Sequence, residues 1–144
     1  MTRLRLIVAG AAIGMVFAGA LLAREPETTP PKVEAKQLFI EDLAGDPSKE
    51  VNAQVYTFPP GASVPWHIHP DAQEIAYIIS GTLTFEEAGQ PPRQIEAGQA
   101  EALNPNIVHR GANKGAEPVK LFAVRIKPKG TPLVREVPAP SAKP

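Results

Sequence analysis

Two histidines one residue apart, His67 and His69, stand shortly before Glu74, and the remaining histidine, His109, follows forty residues after His69. Three neutral imidazoles and one carboxylate make a donor set for a first-row divalent ion such as Mn, Fe, Ni, Cu or Zn, and suit the harder Ca and Mg poorly. We therefore read His67, His69, His109 and Glu74 as the ligands of one metal ion. Four protein ligands leave part of an octahedron open, with room for water, dioxygen or a bidentate substrate. Histidine binds a metal only when deprotonated, so the ion is expected to leave as the pH falls below about 6. A histidine standing alone in a strand is more often packed than ligating. The paired spacing and the glutamate separate these residues from that case.

Strand geometry must bring the four together. Pro65 and Pro70 disfavour helix, so residues 63–69 are expected to be extended. Residues two apart on an extended chain share a face, which places His67 and His69 side by side. Glu74 is an odd number of positions from His69 and would fall on the opposite face of one continuous strand. A turn at Pro70, Asp71 and Ala72 is needed to bring it back on the next strand. That strand, residues 74–79, is expected to form a hairpin through Ser80 and Gly81 with residues 82–87, pairing Ile78 with Leu83 and Ala76 with Phe85. Glu74 then lies on an apolar interior face, where its charge is costly unless something compensates it.

Ile75, Tyr77 and Ile79 make the other face of the same strand apolar too, and a second subunit, giving a homodimer, is the expected cover. Further short strands are expected at 51–58, 93–95, 100–103, 107–113 and 119–126, the last largely buried on both faces. Residues 133–137 offer an edge strand. Asn113 shares a face with His109 and reads as a structural residue closing backbone hydrogen bonds. Gln73 and Gln54 are candidates for polar support behind the ligands, and Arg110 is expected in solvent. The pattern is that of a small all-β barrel or sandwich.

Composition agrees with one such domain. The 144 residues suffice for a single core, and the 15 basic and 15 acidic side chains cancel. No basic stripe is present for a phosphate backbone, which argues against nucleic acid as a partner. Seventeen prolines and 11 glycines favour short strands and turns over long helices. Residues 1–23 carry Arg3 and Arg5 followed by an uncharged apolar run and read as an export signal, either cleaved or kept as an N-terminal anchor helix. The expected location is the periplasm, free or tethered to the membrane by that segment. Residues 24–36 form a proline-rich linker, 37–127 the barrel and 128–144 a proline-rich tail. The chain has no cysteine, so no disulfide contributes to its stability.

Gly61, His67, His69, Glu74 and Gly81 match the spacing of the first cupin motif, and Gly98, His109 and Asn113 that of the second. The second motif departs where that family usually has proline and glycine, since Asn104 and Asn106 stand there with Pro105 between them. Asparagine tolerates the left-handed backbone that a glycine would supply. The chain therefore resembles small single-domain cupins over roughly residues 51–126. That resemblance implies a double-stranded β-helix barrel of jelly-roll type, holding one divalent metal on three histidines and a glutamate. Similarity to the quercetin-dioxygenase-like members implies a metal-dependent oxidoreductase of dioxygenase type acting on a small, oxygen-chelating organic molecule. Glu74 would then ligate and also act as general base. The alternative is a non-catalytic module that binds a metal and a small ligand for storage or sensing.

Overall fold

A computed structural model describes residues 30–141 of the chain. They form ten strands: β1 Glu34–Asp42, β2 Lys49–Phe58, β3 His67–Ile68, β4 Gln73–Ser80, β5 Thr82–Glu87, β6 Arg93–Glu96, β7 Ala100–Leu103, β8 His109–Ala112, β9 Val119–Pro128 and β10 Arg135–Glu136. No helix is present among the described residues, so the fold is all-β as expected. The export segment and residues 24–29 of the linker lie outside the described residues. β1 begins at Glu34, inside the segment read as linker.

The strands make two five-stranded antiparallel sheets, ordered β1-β2-β9-β4-β7 and β10-β3-β8-β5-β6. Alternation decides what each contributes. β9 buries Val119, Leu121 and Ala123 on one face, and β4 buries Ala76 and Ile78. These meet Leu83 and Phe85 of β5, Ile95 of β6 and Phe58 of β2 in a single core cluster between the sheets. β9 is flanked by β2 and β4 and alternates strictly, which corrects the expectation that it is buried on both faces.

The expected hairpin between β4 and β5 does not form. β4 pairs with β7 and β9, whereas β5 pairs with β6 and β8 in the other sheet. Gly81 is where the chain crosses between the sheets. Its φ is +78°, and a Cβ there would lie 2.9 Å from the Pro118 carbonyl, so only glycine fits without strain. The interior placement of Ala76, Ile78, Leu83 and Phe85 survives because they face one another across the core instead of along a ladder.

Candidate metal centre

His67 on β3 is directly opposite His109 on β8, so an antiparallel register alone puts two imidazoles together. Their ring centroids are 4.3 Å apart, and that of His69 lies 4.9 Å from His67 and 5.2 Å from His109. All three are buried. One ring nitrogen from each lies within 4.8 Å of the others, a spacing that can hold a metal ion.

The backbone fixes how these rings present themselves. His67 Nδ1 is 2.8 Å from the Pro65 carbonyl, His109 Nδ1 is 2.8 Å from that of Ile107, and His69 Nδ1 is 2.6 Å from that of Leu133. A carbonyl only accepts, so each Nδ1 carries the proton and donates it. Each Nε2 is therefore left with a bare lone pair. His69 Nε2 is buried and makes no hydrogen bond, although it sits 2.7 Å from Glu74 Oε2. Two lone-pair-bearing atoms facing each other at that distance repel unless a proton or a metal ion is shared between them. The donor set and this orphaned nitrogen both fit a bound metal.

The turn that returns Glu74 to the site is present where it was expected. Asp71 takes φ 53° and Asn106 φ 65°, and the two side chains are tied, with Asp71 N donating to Asn106 Oδ1 and Asn106 Nδ2 to Asp71 Oδ1. Asn106 thus supplies the left-handed conformation in the second motif where a glycine is usual. Glu74 itself is buried on the inner face of β4.

Sequence reasoning missed the partner of that glutamate. Arg125 stands opposite Glu74 in the β4–β9 register, is itself buried, and its Nε donates to Glu74 Oε2 at 2.5 Å. Burial is the largest single influence and works against ionisation of Glu74, but Arg125 together with His69 and His109 outweighs it, and the carboxyl is held well below the usual carboxylate range. An anion so strongly stabilised makes a good ligand and a poor general base. The Arg125 Nη1 donates to Gln54 Oε1 at 3.0 Å and to the Tyr56 hydroxyl at 2.9 Å. Gln54 therefore supports the site through Arg125. Gln73 is exposed on β4 and takes no part in this network.

Asn113 is hydrogen-bonded to the backbone through both of its side-chain polar atoms. Its Nδ2 donates to the carbonyls of Phe58 and Glu117, and its Oδ1 accepts from Gly115 N. Arg110 is half-buried, lying over the Trp66 ring and paired with Glu86, which corrects its expected place in solvent. A cavity of ≈ 150 Å³ opens onto His67, His109, Glu74 and Arg125, walled by Phe58, Phe85 and Leu121.

The cupin domain family model matches residues 54–125 of the chain, half of its length, with His67, His69, Glu74, His109 and Arg125 inside the match. The chain is a cupin. Solved structures share its fold: a cupin domain from Bordetella pertussis, 18% identical, has a TM-score of 0.54 over 69% of this chain and 98% of its own. A DMSP lyase from Ruegeria pomeroyi, 22% identical, has a TM-score of 0.59 over 77% of this chain and 54% of its own. An oxalate oxidase in complex with the substrate analogue glycolate, 24% identical, has a TM-score of 0.54 over 68% of this chain and 52% of its own. At these identities the likeness is one of fold. No curated protein matches the sequence.

Proposed function

We propose that this cupin is an exported, metal-dependent oxidoreductase of dioxygenase type, acting on a small organic molecule that chelates the metal through adjacent oxygens. His67, His69, His109 and Glu74 would hold one Mn, Fe, Ni, Cu or Zn ion. The observation that carries this reading is three buried histidines with ring nitrogens within 4.8 Å of one another, each with its Nδ1–H locked on a backbone carbonyl, and Glu74 beside His69. When bound, such an ion supplies Lewis acidity and open coordination positions.

The chain's own residues do the rest. Arg125 keeps Glu74 ionised and in place. Phe58, Phe85 and Leu121 wall the cavity with apolar surface that limits water around the ligand. The proposed domain limits are 37–127 for the barrel, with residues 1–23 directing export to the periplasm as a cleaved signal or a membrane tether. A homodimer joined through the outer face of β4 completes the proposal.

Elemental analysis of the protein purified from its exported compartment is expected to give about one transition metal per chain. His67→Ala should lower metal affinity by at least about 100-fold, because it removes a ligand outright. Dioxygen uptake with catechol-like or β-diketone substrates, lost in the same variant, tests the chemistry. Tight metal binding without uptake under any ion would replace the enzyme with a storage or sensing module, and absence of metal binding would end both readings.

A further inference from the structure

Arg125 is a second buried charge that the metal centre does not require. A bound dication would compensate Glu74 without help, yet β9 carries a guanidinium inward beside Val119, Leu121 and Ala123, on a face whose other buried charge, Lys127, is paired with Glu50. With a dication, three neutral imidazoles, one carboxylate and one guanidinium, the interior is left positive, and a buried positive site is stabilised by an anion.

The hydrogen bonds of Arg125 show where that anion goes. Nε is used by Glu74, and Nη1 by Gln54 and Tyr56, while Nη2 has no acceptor among the described residues. A fully enclosed Nη2 would be an unsatisfied buried donor, and among the described residues the one such side-chain atom is His69 Nε2. Nη2 therefore opens onto the cavity that Arg125 lines. The fork is held in that pose from behind, since the guanidinium also lies 5.1 Å from the Tyr56 ring centroid. Glu136 is the other acid on the cavity wall besides Glu74, and it is exposed at the mouth, where solvent screens it.

We propose that Arg125 is an anion subsite, and that the ligand of this cupin is a small organic acid whose carboxylate is held by Nη2 while its other oxygens face the histidines. The inference deepens the proposed function and rests on the cavity being its ligand site. It names the substrate class: compact acids are taken, and their neutral amides are refused.

Glycolate and glycolamide form a matched pair of probes that differ in that charge. Ligand-observed NMR titrations on metal-free and on zinc-loaded protein are expected to show glycolate binding at least about tenfold more tightly than glycolamide in both forms. Arg125→Lys should keep part of the preference, and Arg125→Gln, paired with Glu74→Gln so that no charge is left buried alone, should reduce it to less than about twofold. Equal affinities in the wild-type protein, or a preference unchanged in the double variant, overturn the proposal. Should the double variant fail to fold, the wild-type comparison and Arg125→Lys decide. Failure of the metal reading shows separately, as no zinc uptake, and leaves the metal-free comparison intact.

Discussion

Three backbone carbonyls decide the chemistry of three side chains. By accepting from the Nδ1–H of His67, His69 and His109, they leave each Nε2, the nitrogen most useful to a metal, without a proton. Burial, with the neighbouring His109 adding to it, pushes the His67 pKa down from 6.5 to about 4. Folded His67 thus binds its proton less readily than the unfolded chain does. Between pH 6.5 and about 4 the unfolded state holds the extra proton, so stability is full above that window and falls as the pH drops through it. Thermal melting of metal-free protein should show Tm declining over that range, with His67→Gln flattening the decline. Protons would compete with a metal for His67 nearer pH 4 than pH 6, which lowers the value expected from sequence. The candidate ligands were legible because spacing and parity act over a few residues. Arg125 was not, since its partner Glu74 is 51 residues away and only the β4–β9 register joins them. Its inward parity with Val119, Leu121 and Ala123 was the one clue, hidden by reading that strand as buried on both faces.

At the level of elements, the strands were legible from alternation and from proline and glycine punctuation, while their pairing was not. A two-residue hairpin and a crossing between sheets use the same turn residues, and at Gly81 the crossing is what forms. Gly81→Ala should cost about 1–3 kcal/mol, because it adds left-handed strain to a contact with Pro118 and Val119. Chemical denaturation would measure it, and a neutral effect would mean that the backbone relaxes there. The tail is a second case. An edge strand was expected over 133–137, and β10 does form at Arg135–Glu136, pairing with β3 so that Glu136 lies opposite His67. Lys127 starts this strap by donating to the Thr131 carbonyl at 2.7 Å, and Leu133 ends it on His69. Deleting residues 131–144 should lower metal affinity by about 10–100-fold through loss of the His69 orientation. Competition against a chromophoric chelator would report it, and undiminished affinity would show that the strap only covers the site.

Across the whole molecule, two apolar stretches are left uncovered among the described residues, Leu38, Phe39 and Ile40 on β1 and the outer face of β4. Ile75, Tyr77 and Ile79 on the outer face of β4 are each close to half exposed, and Val124 and Phe122 extend the patch as register neighbours of Ile75 and Tyr77. A second copy of the chain is the proposed cover. Light scattering at micromolar concentration should give a dimer, and Ile75→Glu should shift it to monomer; a wild-type monomer would refute the assembly. The same architecture also sets when the centre can be loaded. The carbonyl that orients His69 lies 64 residues further along the chain than the histidine it serves. A ribosome delivers His67 and His69 long before it delivers Leu133, so the nascent chain has no finished centre to fill. For the proposed ion, choice would thereby be postponed until synthesis has passed the strap, and the metal would be selected from whatever surroundings the chain folds in.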